Sequence, residues 1–257
     1  MPKMMGRYFY RREATSEQRI QNVWERESIK QVLARRSLYI FNQDRQGELD
    51  NLWVQQPENQ ATAQLGANWG YYVGLDRIRA HYEKAFPADQ KDYSFHMPNG
   101  TNIVRIAADG KTAFCLIYSL ASEAIDMGAG TRGYDVYDRI WFDMKKEGDD
   151  WKIWHVFEGN DFTVENAVNV MGWPAAARKD VEHPVNPTQL EFGTPDYPLE
   201  AYNPQFGWYA FPRIPDAHDS YSLDMSCSLE ACLKFRAGRL AKKDVKSLYE
   251  MMGGKCQ

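Results

Sequence analysis

The chain has 257 residues, 44% of them hydrophobic and 26% charged, and a net charge of −4. That balance fits a soluble globular protein, the length fits one large domain or one domain plus a substantial extension, and nucleic acid is disfavoured as a partner, since lysine and arginine gather only in pairs such as Arg35-Arg36 and Lys145-Lys146. No run approaches the roughly 18 apolar residues of a membrane span, and the start carries charges but no apolar signal-like core.

Four cysteines (Cys115, Cys227, Cys232, Cys256) show neither a CxxC pair nor zinc-like spacing. The expectation is a reduced, cytoplasmic protein without a metal. The aromatic content is high, with 8 Trp, 15 Tyr and 12 Phe. Aromatics bring large buried area per residue, which suits a pocket lining, a subunit interface or a thick core.

In chain order, residues 1–14 read as a basic and aromatic arm. Thr15 with Gln18 forms a capping box that opens a helix. Apolar positions Ile20, Val23, Trp24, Ile29, Val32, Leu33, Leu38, Ile40 and Phe41 then recur at roughly a helical period. Ser28 and Gln31 offer a second start, so one helix or two fit. Gly47 is the expected left-handed terminator, and 48–53 makes a short second helix. Residues 59–68 alternate as a short strand, and Leu75, Ile78, Tyr82 and Phe86 share the face of a helix entered at Gly74 and stopped at Pro87.

From His96 to Glu158 the pattern is a sheet of antiparallel hairpins. Asn102 to Ala108 turns at Asp109-Gly110 into a long strand from Lys111 to Ile125. Tyr134 to Met144 and Trp151 to Glu158 pair across Glu147-Gly148-Asp149-Asp150. Helices followed by a segregated sheet make an α+β fold. A sheet curled over a long helix encloses a conical cavity, a common ligand site.

Beyond Phe162 the chain changes character. Residues 172–216 hold Pro174, Pro184, Pro187, Pro195, Pro198, Pro204, Pro212 and Pro215, which rules out continuous regular structure. Phe206, Trp208, Tyr209 and Phe211 are too aromatic for a solvated linker. Residues 228–252 regain helical character, with one helix holding Leu229, Cys232, Leu233 and Phe235 and a second following Gly238. The organisation read from the chain is an arm (1–14), a cone (15–162) and an extension (163–257) packed on the cone or on a neighbouring subunit.

Within residues 17–160 the order of motifs resembles the SnoaL-like branch of the nuclear transport factor 2-like superfamily. The long helix ends in Tyr39-x4-Asp44-x-x-Gly47-x-Leu49, and the next begins Tyr72-Val-Gly74-Leu75-Asp-Arg-Ile78. His96 then precedes Asn102-x-x-Arg105-Ile106-x-x-Asp109-Gly110-x-x-Ala113, and Trp151-x-Ile153-x-His155 closes the series. The extension matches nothing in that family. The resemblance implies a cone-shaped, cystatin-like roll. It implies either cofactor-independent lyase or isomerase chemistry, as in scytalone-dehydratase-like and bile-acid-dehydratase-like enzymes, or a non-catalytic binding or structural module. Fold alone does not choose between these.

The resemblance also nominates residues. It puts His96 where the dehydratases keep a pocket base, and imidazole suits proton transfer near neutral pH. It puts Tyr39 and Asp44 where they keep a tyrosine and an aspartate, to polarise a carbonyl and to orient the histidine.

From the residues themselves, a hairpin centred on Gly148-Asp149 sets Phe142 opposite His155 and Ile140 opposite Phe157. Asp138 then falls on the same, largely apolar face. A histidine and an aspartate there need partners, so they form either a buried pair or the polar end of a pocket. The expected substrate-binding set is His155, Asp138, Phe142 and Tyr118, and which face of the sheet lines the cavity stays open. His81 is expected to be solvated. No phosphate loop or nucleophile elbow occurs, so no cofactor is expected. The partners expected are a small hydrophobic ligand and further copies of the chain, as a dimer or trimer.

Overall fold

A computed structural model describes residues 15–68, 70–86, 94–126, 131–165, 195–198, 211 and 214–240. The arm, most of the proline-rich stretch and the second C-terminal helix expected from the sequence lie outside those residues.

Helix α1 runs unbroken over Ser16–Phe41, opened by the full Thr15–Gln18 capping box. It buries Ile29, Leu33, Arg36 and Ile40 on one side, while Ile20, Val23, Trp24, Leu38 and Phe41 stay exposed on the other. The apolar positions of the helix therefore belong to two opposite faces. Its end also differs from expectation. Gln43 takes the left-handed conformation (φ 58°), and Gly47 sits inside α2 (Arg45–Leu52), whose first turn is capped by Asp44. A Cβ on Gly47 would lie 2.3 Å from the Asp44 carboxylate and 2.8 Å from the Tyr39 ring. Glycine is needed there for close approach.

A single turn, α3 (Pro57–Gln60), replaces the first half of the expected strand. It is followed by β1 (Gln64–Ala67), β2 (Gly70–Val73) and α4 (Leu75–Ala85), entered at Gly74 with φ 91°. The remaining strands are β3 (Ser94–His96), β4 (Asn102–Ile106), β5 (Thr112–Asp126), β6 (Thr131–Glu147), β7 (Asp150–Glu165) and β8 (Tyr197–Pro198). They form one sheet in the order β3-β5-β6-β7-β1-β2-β8, with β4 also paired to β5. The pairing is antiparallel except where β1 joins β7 in parallel, so the sheet is mixed.

Both hairpin turns carry glycine with positive φ, Gly110 at 69° and Gly148 at 62°. The aspartates beside them keep negative φ, so neither is a type I′ turn, which needs both central residues positive. At Asp109-Gly110 a turn closed by Gly110 N–H to the Ala107 carbonyl places glycine at the left-handed position.

The helices pack on the concave face of the sheet. Ile29, Leu33, Ile40, Leu49 and Trp53 meet Cys115, Ile117, Ile140, Phe142, Ile153 and Val156 in the main core. A second core lies on the convex face, where Phe211, Cys227, Leu229, Ala231 and Cys232 cover Tyr71, Trp141 and Phe157. The C-terminal segment thus packs on its own sheet. It ends in α5 (Leu229–Leu240), which continues through Gly238. Among the described residues no helix is long and apolar enough to cross a membrane.

Candidate functional site

Arg36 is where the buried side of α1 turns polar. Its guanidinium, 2% exposed, bonds Glu48 of α2 through Nε at 3.1 Å, forms an ion pair with Glu158 of β7, and lies 5.4 Å over the Phe142 ring. Glu48 is wholly buried and also accepts from Arg45 (3.1 Å), the Trp53 indole (3.1 Å) and the Tyr82 hydroxyl (3.4 Å). Burial opposes charge on all of these groups. The paired opposite charges prevail: Glu48 stays below the usual carboxylate range beside Arg36 and Arg45, and Arg36 is held above its ordinary value by Glu48 and Glu158.

Beside this network a cavity of about 30 Å³ opens between β1, β2, α4 and β7. Arg45, Glu158, Tyr72, His81 and Tyr82 supply its polar lining, and Leu65, Ala67 and Phe86 the rest. His81 is buried rather than solvated. Its ring stacks on Tyr72 at 4.0 Å and meets Phe86 edge-on. Three helical positions from Ile78, it falls on the flank of the apolar face of α4, and the aromatic neighbours that cover it are brought by β2.

Asp138 shares the concave face with Val136, Ile140 and Phe142. It pairs with Asn160, two residues along from the Ile140–Glu158 pair. Its carboxyl is buried and has no hydrogen bond among the described residues. Burial, then the neighbouring Glu158, Glu123 and Asp161, push its pKa well above the ordinary range, against the opposing pull of Arg36. Asp138 is therefore pushed toward its uncharged form, next to a carboxylate held by an arginine.

His155 is on the other side of the sheet. A bulge shifts the β6–β7 register between Asp143 and Met144, so Asp143 faces His155, Phe142 faces Val156 and Trp141 faces Phe157. Each predicted pair is displaced by one residue, and a shift of one exchanges the two faces. Asp138 and Phe142 therefore line the interior, whereas His155 lies under the C-terminal segment. Its Nδ1 is 2.7 Å from Asp143, and its Nε2 is 3.2 Å from the Thr62 carbonyl. Ser226 Oγ and the Cys227 amide (3.2 Å) both donate to the same Asp143 carboxylate.

The residues nominated by resemblance occupy the rim. Tyr39 and Asp44 meet around Gly47, and the Asp44 carboxylate accepts the Gly47 amide at 2.8 Å. His96 is exposed and touches Phe41 edge-on at 4.4 Å. Strand alternation turns Phe95 and Met97 inward, where Met97 Sδ lies 3.9 Å from Arg36, and so turns His96 outward. Among the described residues no hydrogen bond joins His96 to Tyr39 or Asp44. Tyr118 stands on the convex face, opposite Arg139, and is 44% exposed. No group of three metal-ligating side chains occurs among the described residues.

The profile of the SnoaL-like domain family matches residues 21–156. Similar solved structures include a hexachlorocyclohexane dehydrochlorinase (LinA type 2), at 9% identity and TM-score 0.51, covering 61% of this chain and 99% of that one. A LinA type 3 from Novosphingobium barchaimii is 10% identical with TM-score 0.48, over 58% and 94%. An NTF2-like protein with a cystatin-like fold from Novosphingobium aromaticivorans is 16% identical with TM-score 0.37, over 62% and 90%. No curated protein matches the chain.

Proposed function

Because the chain belongs to the SnoaL-like domain family, we propose that its cone takes a small, uncharged cyclic carbonyl compound and moves a proton on it without a cofactor, in a lyase or isomerase reaction. The observation that carries this reading is the pair Asp138 and Glu158, one carboxyl buried and pushed by that burial toward its uncharged form, the other lining the cavity in an ion pair with Arg36. A buried carboxyl beside one that is paired with an arginine can divide acid from base in one site. Glu158 removes the proton from the carbon beside the carbonyl. Asp138 gives its proton to the departing hydroxyl, which leaves as water while the carbon–carbon double bond forms. The proton on Glu158 then returns to Asp138 on the neighbouring strand. Tyr72 and His81, stacked on each other, supply an aromatic wall to the cavity. In this reading His96, Tyr39 and Asp44 form the rim past which the substrate enters.

The test is hydrogen exchange in D2O, followed by mass spectrometry on a panel of cyclic ketones and hydroxyketones. Exchange or dehydration by the native protein should fall by about two to four orders of magnitude in Asp138→Asn and in Glu158→Gln, with the folded spectrum unchanged. Equal rates in those variants would refute the assignment, and loss in His96→Ala instead would move the base to the rim.

A second reading, a non-catalytic module, is favoured by the size of the cavity. About 30 Å³ has room for a few water molecules at most, far less than a cyclic ketone needs. On that reading no ketone of the panel exchanges, and the polar interior serves only to fix the packing of the helices on the sheet.

A further inference from the structure

The outward side of α1 has the pattern of a surface made to meet itself. With 100° between successive residues, Ile29, Leu33, Arg36 and Ile40 face the core. The opposite stripe carries apolar groups at both ends. Ile20 and Val23 are 59% exposed, Trp24 68%, Leu38 61% and Phe41 46%. Between them lie Glu27, Gln31 and Arg35, also exposed. Positions 20, 24, 27, 31, 34, 38 and 41 alternate steps of four and three, the spacing by which a helix presents one seam to another helix. The first turns of the helix, 16–24, are exposed throughout.

We propose that α1 is a dimerisation surface that pairs antiparallel with α1 of a second copy of this chain, about a two-fold axis at Gln31. In that register Trp24 meets Leu38 of the second copy, Glu27 meets its Arg35, and Ile20 and Val23 meet its Phe41, each contact occurring twice. The charges select this occupant. Glu27 and Arg35 each stand four residues from Gln31, so two antiparallel copies satisfy both at once, whereas a purely acidic or purely basic partner would satisfy one and repel the other.

Arg35 has no ion-pair partner among the described residues, and Glu27 has only exposed 3.3 Å contacts from Lys30 and Gln31 of its own helix. Trp24 is the residue type that anchors interfaces. The convex face of the sheet is already partly covered by the C-terminal segment, and among the described residues nothing covers the apolar stripe of α1. His96 leans on Phe41, so the pairing would also shelter that histidine at each end of the interface.

Sedimentation velocity and native mass spectrometry of the full chain, over a wide concentration range, test the proposal. The expected result is a dimer whose dissociation constant rises about thirtyfold in Leu38→Glu and about tenfold in Glu27→Arg. The double exchange Glu27→Arg with Arg35→Glu should return it to within about threefold of the starting value. Gln31→Cys, in a background with Cys256→Ser, should form a symmetric disulfide on oxidation, while Asn22→Cys on the other side of the helix should not. A native chain that stays monomeric at every concentration overturns the proposal, including the case in which another segment of the same chain shields Trp24 from quenchers. So does a dimer that survives Leu38→Glu, or a double exchange no better than its single parts.

Discussion

Asp143 and His155 oppose each other across the bulge that separates the two faces of the sheet, with Oδ2 and Nδ1 2.7 Å apart. Both ring nitrogens of His155 lie within hydrogen-bond reach of an oxygen, the Asp143 carboxylate on one side and the Thr62 carbonyl on the other. The same carboxylate receives Ser226 and Cys227, so it ties the last described segment to the centre of the sheet. Asp143→Asn disturbs three buried contacts at once and should cost about 2–4 kcal/mol, more than the loss of any one of them. Ser226→Ala, which removes one donor of several, should cost about 1–2 kcal/mol. Urea unfolding gives both numbers, and tryptic cleavage after Lys234 should quicken in the same order.

Glu48 holds two arginines, an indole and a phenol in the interior. Glu48→Gln keeps the shape and leaves Arg36 with Glu158 alone and Arg45 without its buried carboxylate. A loss of about 3–5 kcal/mol is expected. Replacing Arg36, Arg45 and Glu48 together by apolar residues of similar volume should cost less than that single change. Denaturant midpoints at equal slope would show whether it does.

Acidity should stabilise this protein within a definite window. Asp138 is raised well above the ordinary carboxylate range, and burial pushes Glu123 up to about 7. A carboxyl with a raised folded pKa binds more protons folded than unfolded, so its contribution is complete below the unfolded value, near 4, and is lost as pH climbs through the folded value. Unfolding free energy should therefore be higher at pH 5 than at pH 8. The slope attributable to each group cannot exceed about 1.4 kcal/mol per pH unit, and it should shrink in Asp138→Asn and in Glu123→Gln. Glu48 and Glu25, whose values are lowered, act with the opposite sign and only below about pH 4.5, outside that comparison. A flat profile in the native protein would contradict the raised values of Asp138 and Glu123.

Two glycines should answer differently to alanine. At Gly148 nothing lies within 4 Å of an added Cβ, so only the positive φ of 62° resists, at about 1 kcal/mol. At Gly66 the Cβ would fall 2.4 Å from the Tyr71 ring and 2.8 Å from Phe157, both fully buried in the convex core. Its cost should be larger, about 1–3 kcal/mol, and should grow with loss of C-terminal protection in amide exchange.

The sequence made the cone legible because capping, helical period and the glycine turns are local signals. Thr15–Gln18, Gly74, Gly110 and Gly148 stand where their chemistry predicts elements to begin or turn. Facing was not legible, since one residue of bulge beside Asp143 exchanges the sides of a whole strand and leaves no mark in composition. Arg36 was hidden for a related reason. In an otherwise apolar face it read as a surface pair with Arg35, and its partners Glu48 and Glu158 are 12 and 122 residues away. His81 and the latch around Asp143 depend on contacts from distant segments. The aromatics of α1 satisfied a helical period without showing that they divide between two faces.

The tie between Asp143 and Ser226 also fixes an order of events during synthesis. Strands β6 and β7 leave the ribosome with Trp141 and Phe157 bare on one side, and their cover at 226–232 follows some seventy residues later. At about 5–20 residues per second, that interval lasts several seconds. Through it the nascent sheet carries an apolar face and a buried-type carboxylate still in water, which makes this the period in which a chaperone has most to bind.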